Sequence, residues 1–307
     1  MPGSQDFAAD PRNETALVWL NGDLVPRSEA RVSLFDAGFG MGDGVWEGLR
    51  LHRGRLLFLD THLDRLFAGA RAIRLDPVLS RAELVAALEA VVAANGMSDG
   101  AHLRLMVTRG VKATINQDPR NALGRPTIAI TAEHKRPTGA QRGLALATVS
   151  VRCTPAEMFD MRLNSHSRLN LITALLEAID LGADEALMLD PHGCVSSCNG
   201  TNFFFVSGGE VKTSAGAYCF NGVTRDHVIE LCRRNGLPLR LGDFPPEAAR
   251  AADEAFVTGT LGGLTPVAAI DGRELTASPG PLTRRLADLY EALKDADAAL
   301  GPRWPTD

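Results

Sequence analysis

The chain has 307 residues, 45% hydrophobic, 22% charged and 6% aromatic. That length predicts two domains or one large one, with enough buried surface to fold without a disulfide or metal staple, and the composition excludes disordered, collagenous and coiled-coil classes. The 32 basic and 37 acidic residues give a net charge of −5 spread along the chain, which argues against a nucleic-acid or anionic-membrane partner but leaves a small anionic ligand open.

Residues 1–15 read as a loose polar tail without the apolar core of a secretory signal. Ala16–Leu20 and Leu24–Val25 flank Asn21-Gly22, a hairpin signature because both turn residues tolerate positive φ. Gly38, Gly40, Gly42 and Gly44 follow. The run lacks the ending of a phosphate loop, so it reads as backbone turns needing positive φ. Val45–His52 reads as a strand. Asp60 or Thr61 is the expected cap of a helix with the apolar face Leu63, Leu66, Phe67, Ala70 and Ile73. Ser80-x-x-Glu83 is a capping box opening a second helix that closes at Asn95-Gly96. Leu103, Leu105 and Val107 alternate with polar neighbours, a half-buried strand, and Thr127–Thr131 is another. Residues 16–135 thus read as a small α+β domain.

Residues 136–141, with Pro137 and Gly139, are the expected linker to a larger domain over 142–307. That domain opens with a strand at Leu144–Val151, then a helix from about Ser165 to Leu181. Short strands at Glu185–Leu189, Cys194–Ser197, Phe203–Val206 and Val211–Thr213 precede a helix at Thr224–Arg234. Strands at Glu254–Val257 and Val267–Ile270 and a helix at Pro281–Leu293 complete it. No stretch approaches the ~20 apolar residues of a membrane span. The five cysteines, Cys153, Cys194, Cys198, Cys219 and Cys232, fit no zinc spacing. They read as reduced thiols in a cytoplasmic protein, and no metal is expected.

Asn221-Gly222-Val223-Thr224-Arg225 opens a helix, where unsatisfied amides and the helix dipole favour an anion. Thr258-Gly259-Thr260-Leu261-Gly262-Gly263 offers hydroxyls and a flexible loop. Together they suggest an anion site. His166 between Ser165 and Ser167 suits hydrolytic chemistry or simple helix capping, and no nucleophile elbow is present. Asp60 with Asp64, and Asp184 with Glu185, read as caps and solvated charges. Arg104 and Arg120 are candidates to clamp a carboxylate, against a default of surface ion pairs.

In this order the motifs resemble the class IV aminotransferases, pyridoxal phosphate (PLP) enzymes of fold type IV that include branched-chain and D-amino acid aminotransferases. The resembling segments are residues 39–48, His62-Leu-Asp-Arg-Leu66, Gly182-Ala-Asp-Glu-Ala186, Asn199-Gly-Thr-Asn-Phe203, Gly222-Val-Thr-Arg225, residues 252–260 and Thr265-Pro-Val267. The resemblance implies an α/β (α+β) two-domain fold, a cofactor between the domains and a homodimer. It implies a phosphate cup of Arg65, Val223, Thr224 and Thr260, and substrate contacts from Trp46, Arg104, Arg120, Leu261 and Gly262. It also exposes two departures. Asn164 stands where the family has its Schiff-base lysine, and Ser197 where the family has the glutamate that pairs with the pyridine nitrogen. The chain's only lysines are Lys112, Lys135, Lys212 and Lys294.

An asparagine amide neither forms an imine nor shuttles a proton as the lysine does. Arg168, expected one helical turn beyond Asn164, stays protonated. The nominal activity is amino-group transfer between an amino acid and a 2-oxo acid, with PLP or pyridoxamine phosphate (PMP) held noncovalently and His166 or water carrying the proton. A PLP-independent enzyme acting on another anionic substrate and a noncatalytic ligand-binding homologue are the alternatives.

Overall fold

At Asn21 and Gly22 the backbone turns through φ values of 52° and 115°, closing the expected hairpin between β1 (Leu17–Leu20) and β2 (Asp23–Pro26). The computed structural model describes residues 3–76, 79–138 and 142–301. Gly139 of the expected linker lies outside them. The chain divides into two units. The first comprises Ala9–Arg136, Leu163–Arg168 and Ala296–Asp307; the second comprises Met1–Ala8, Pro137–Arg162 and Leu169–Asp295. The chain leaves the first unit at Arg136, where the linker was expected, but returns to it for 163–168 and again from 296.

In the first unit the hairpin is followed by a short helix α1 (Ala37–Met41), β3 (Gly44–His52), β4 (Arg55–Leu56), α2 (Leu59–Ala72), α3 (Arg81–Ala94), β5 (Ala101–Thr108) and β6 (Thr127–His134). The six strands form one antiparallel sheet in the order β2-β1-β6-β5-β3-β4. In β5 burial alternates strictly: Leu103, Leu105 and Val107 face a core shared with Leu63, Leu66, Leu84 and Leu88 of the two helices. The opposite face carries His102 and Arg104. The Ser80–Glu83 capping box is formed, and α3 ends at Asn95. Neither Asp60 nor Thr61 caps α2. Phe58 is the cap residue, left-handed at φ 52°, and its amide donates to Asp297 Oδ2 at 3.1 Å. The carboxylate from the chain's far end thus satisfies the amide, and Asp60 falls inside the first turn.

In the second unit β7 (Leu144–Thr148), α4 (Leu169–Asp180), β8 (Glu185–Leu189), β9 (Val195–Cys198), β10 (Asn202–Ser207) and β11 (Glu210–Ser214) precede α5 (Val223–Arg234). Then come β12 (Leu239–Gly242), α6 (Pro246–Arg250), β13 (Glu254–Gly259), β14 (Gly263–Ile270), β15 (Arg273–Glu274) and α7 (Pro281–Ala298). Nine strands form a mixed sheet in the order β9-β8-β7-β14-β13-β10-β11-β12, with β15 on β14. Leu146, Leu187, Phe203, Phe205 and Val257 fill one core, while Ala147, Ala186 and Met188 pack against Ala174 and Ala178 of α4 in another. Apolar packing on both faces explains why Ala186, Leu187, Met188 and Leu189 of β8 are buried. No helix among the described residues is long and apolar enough to cross a membrane.

Candidate active site

The helix expected from Ser165 begins only at Leu169, because the preceding residues are claimed as a short edge strand. Trp46 N donates to Asn164 O at 2.9 Å, His166 N donates to Gly44 O at 3.0 Å, and Ser165 bridges Val45 antiparallel. Asn164 completes the pairing with its side chain, whose Nδ2 donates to Trp46 O at 2.5 Å. The glycine run makes room for this strand. A Cβ on Gly44 would stand 2.7 Å from the His166 ring and 2.5 Å from Val107 O, and one on Gly42 would stand 2.6 Å from Ser167 Oγ. The reading of these glycines as positive-φ turns holds only for Gly42, the left-handed cap of α1 at φ 66°. Gly38, Gly40 and Gly44 serve close packing instead.

Trp46 lies at the centre of this group. Its Nε1 donates to Ser165 O at 3.1 Å, which fixes the indole. Two guanidinium groups lie over that ring, Arg104 at 4.2 Å and Arg168 at 5.6 Å from the centroid. Arg168 is not on a helix shared with Asn164, as expected, yet its Nη2 donates to Asn164 Oδ1. Burial, then the charges of Arg65 and Arg104, pushes the Arg168 guanidinium down to about 10, with Glu47 opposing. Burial, with the charges of Arg104 and Arg168, lowers His166 below the ordinary histidine value, and its buried Nε2 has no hydrogen-bond partner. Burial first, then the positive charge of this group, favours the neutral form of His166.

Behind the sheet, Glu47 is fully buried and accepts three hydrogen bonds: Arg65 Nε at 2.8 Å, Arg65 Nη2 at 2.7 Å and His62 Nδ1 at 2.7 Å. Burial alone would raise the carboxyl, but Arg65 and His62 outweigh it and hold the group below the ordinary carboxylate value. Arg65, expected in a phosphate cup, is thus committed to a carboxylate through two of its nitrogens. His62 and Glu47 both lie in the motifs that carry the family resemblance, but nothing in their spacing showed that they meet.

The remaining expected residues lie in the second unit. Ser197 Oγ donates to Thr201 O at 2.8 Å and accepts from Asn202 Nδ2 at 3.3 Å. Asn202, missed in the sequence, ties three segments together: Nδ2 also donates to Phe220 O at 2.5 Å, and Oδ1 accepts from Gly222 N at 3.2 Å. Gly222 is the N-cap of α5 and offers no side chain, so the first amides, at Val223 and Thr224, lack an intrahelical acceptor. The Thr224 hydroxyl lies 3.3 Å from Tyr290 OH. Thr258, at the end of β13, is buried with no partner for Oγ1. Thr260, Leu261 and Gly262 form the turn into β14, where a Cβ on Gly262 would meet Thr265 Oγ1 at 2.9 Å. These groups suit a phosphate-like anion.

Arg120 lies elsewhere, largely exposed in a short turn and bidentate to Asp118. Glu185, expected as a solvated charge, is buried and accepts from Ser4 N and Thr201 Oγ1, both at 2.8 Å; burial raises its carboxyl. Asp184 is also buried, paired with Arg142 at 2.6 Å and accepting from Ala145 N. Among the described residues no cluster suits a metal ion, and burial raises the thiol pKa of Cys153, Cys198, Cys219 and Cys232. Each lysine has a local partner: Lys112 donates to Asn116 O, Lys135 pairs with Glu133, Lys212 with Glu210 and Lys294 with Glu291.

Comparison with known proteins agrees with this architecture. A putative branched-chain-amino-acid aminotransferase of Methanocaldococcus jannaschii is 36% identical over 285 residues, covering 90% of this chain and 96% of that protein. Branched-chain-amino-acid aminotransferase-like protein 2 of Arabidopsis thaliana is 37% identical over 296 residues; this chain is covered to 96% but spans only about half, 53%, of that relative. The crystal structure of the branched-chain amino acid aminotransferase from Thermobaculum terrenum, in its PLP-bound holo form, superposes with a TM-score of 0.81 at 26% identity, covering 96% of this chain and 98% of that one. The amino-transferase class IV family matches residues 44–270, and the chain therefore belongs to the class IV aminotransferase family.

Proposed function

We propose that this chain transfers an amino group between an amino acid and a 2-oxo acid, with PLP or PMP held through its phosphate and not through a lysine. The observation that carries the reading is Asn164, whose amide is engaged by Trp46 O on one side and Arg168 on the other. The residues fit one handle of the cofactor. The Val223 and Thr224 amides, the partnerless Thr258 hydroxyl and the Thr260 hydroxyl suit the phosphate ester. They do not fit a covalent tether, since no lysine occurs between positions 136 and 211. Arg65, expected at the phosphate, is bound to Glu47 through Nε and Nη2. When bound, the pyridine ring and its aldehyde or amine would supply the electron sink and the amino carrier.

The chain's own groups do the rest. Arg104 and Arg168 bind the acid's carboxylate, and Asn164 keeps Arg168 in place. His166, neutral at pH 7, takes up and returns a proton at Nε2. The Ser197 hydroxyl, neutral and already bonded to Asn202 and Thr201, stabilises a protonated pyridine less than a carboxylate does. A PLP-independent activity on another anionic substrate is the second reading, favoured by the concentration of Arg104, Arg168 and His166 in one unit. A second copy of the chain is the proposed partner. The exposed apolar stripe Leu169, Ile172, Leu176 and Ile179 along α4 supports it.

The test is a single-turnover reaction of the protein with PMP and a series of 2-oxo acids, read as PLP absorbance and amino-acid product. Exchange that His166→Ala slows by about 100-fold or more is the expected result. PMP binding without exchange for any oxo acid would remove the assignment.

A further inference from the structure

Along α7, Thr283, Leu286 and Tyr290 are buried at three- and four-residue spacing and form one stripe of the helix. Glu254, the first residue of β13, fixes the start of that helix: its Oε2 accepts from Thr283 N and from Thr283 Oγ1, each at 2.8 Å. Two turns further on, the Tyr290 ring lies against Gly263, 3.5 Å from where a Cβ would stand, and its hydroxyl lies 3.3 Å from Thr224 Oγ1. Gly263, left-handed at φ 64°, begins β14 directly after Thr260–Gly262, and Thr224 is the second residue of α5. One side chain thus touches both segments that offer anion-binding groups. A buried hydroxyl marks the same place. Asn202 and Thr258 are partners across β10 and β13, so their side chains share a face of the sheet. On that face Asn202 reaches Gly222 N, at the cap of α5, while Thr258 Oγ1 is buried with no partner.

Thr224 has one hydroxyl proton to place. A threonine in a helix ordinarily donates back to the carbonyl four residues earlier. Here that carbonyl, Phe220 O, already accepts from Asn202 Nδ2 at 2.5 Å. The bond between Thr224 and Tyr290 has two possible directions. If Thr224 donates to Tyr290, its proton is used and only lone pairs remain for a ligand. If Tyr290 donates, the threonine proton is available to an acceptor, and the two hydroxyls polarise each other in one direction. Burial pushes the Tyr290 phenol up to about 12, with the Thr224 hydrogen bond opposing, so the phenol keeps its proton at neutral pH.

We propose that Tyr290 is a positioning residue of the anion site: by donating to Thr224 Oγ1 it turns the threonine proton toward a phosphate monoester bound at the start of α5. The inference rests on the reading of that helix start as the phosphate-ester site and adds the group that sets its donor pattern.

Calorimetry on cofactor-free protein compares PMP with pyridoxamine, which lacks the phosphate. Tyr290→Phe keeps the ring against Gly263 and removes the hydroxyl; it is expected to weaken PMP about 10-fold and pyridoxamine by less than about 3-fold. Thr224→Val should weaken PMP at least as much, and adding Tyr290→Phe to it should bring no further loss, because the phenol acts through the threonine. Thr224→Ser keeps a hydroxyl and should keep the dependence on Tyr290. A purely structural role would weaken both probes alike and would persist in Thr224→Val. Natural PMP affinity in Tyr290→Phe, equal losses for the two probes, or a full further loss in Thr224→Val would each overturn the proposal. If Tyr290→Phe does not fold, 3-fluorotyrosine decides, because the chain has two tyrosines and Tyr218→Phe leaves Tyr290 as the one labelled. The fluorinated phenol is the stronger donor and should tighten PMP but not pyridoxamine; unchanged or selectively weaker PMP binding would overturn the proposal. PMP bound no tighter than pyridoxamine, or bound normally by Thr224→Val, removes the phosphate site itself. A loss in Thr224→Val without one in Tyr290→Phe removes the positioning role alone.

Discussion

Replacing Glu47 by glutamine keeps the shape of the side chain and removes the charge that pairs with Arg65 and hydrogen-bonds His62. In the native protein both partners are largely out of solvent: the side chains of His62 and Arg65 are 3% and 19% exposed, and that of Glu47 is 0% exposed. Removing one member of a buried ion pair typically costs about 3–5 kcal/mol, because the remaining charge stays desolvated. The partial exposure of Arg65 places the expected loss at the lower end, about 3 kcal/mol, against a total stability of roughly 5–15 kcal/mol. Urea unfolding followed by tryptophan fluorescence reads it, since Trp19 and Trp46 both lie in the first unit. Adding Arg65→Met and His62→Phe should recover much of the loss. The pH dependence gives a second reading. The folded carboxyl is depressed, so its contribution is present above the unfolded carboxylate value and is lost as pH falls through the folded one. Glu47→Gln should lack that acid limb. A loss below about 1 kcal/mol, or an unchanged acid limb, would refute the triad as the chief electrostatic support of α2 on β3.

Two further outcomes follow from the same sheet. Burial, then the charges of Lys135, Arg104 and Arg50, pushes His102 down to about 3 from an ordinary 6.5. Stability should therefore fall as pH drops below about 6.5 and continue falling toward 3, by up to about 1.4 kcal/mol per pH unit, and less to the extent that the ring's edge meets water. His102→Gln should flatten that slope in unfolding curves taken at several pH values. Gly44→Ala would place a methyl group against Val107 O and the His166 ring, costing about 1–3 kcal/mol and displacing segment 164–166. Loss of His166 amide protection in hydrogen exchange would register the displacement; unchanged protection would show that the glycine is not needed for it.

Features set by neighbouring residues were legible in the sequence. The Asn21-Gly22 hairpin, the Ser80–Glu83 box, the stop at Asn95 and the alternation along β5 need only a few adjacent side chains to specify them. Segment 163–168 was not legible as an edge strand because its partner, β3, lies over a hundred residues earlier in the chain. Its Ser-rich polarity resembles a helix start, and only the long-range pairing withholds those amides from the helix. The glycine run was misread for the same reason, since crowding by His166, Ser167 and Thr108 is invisible without the tertiary contacts. The expectation that Asn164 stands at the family's lysine position came from motif spacing and the positions of the four lysines. The surroundings of Asn164 needed the structure: the Asn164–Arg168–Trp46 arrangement joins residues whose spacing carries no recognisable pattern. Glu47 and Arg65 stood in the motifs, but their pairing with each other became apparent only with α2 packed on β3.

We propose that this class IV chain holds its cofactor without a covalent bond. The protein is saturated with PLP, treated with borohydride, unfolded and weighed intact, with Asn164→Lys carried in parallel. An unmodified mass is expected for the natural chain, and a gain of one pyridoxyl group, mapped to position 164, in the variant. A pyridoxyl group on Lys112, Lys135, Lys212 or Lys294 of the natural chain, at one equivalent and protected by excess PMP, would contradict it.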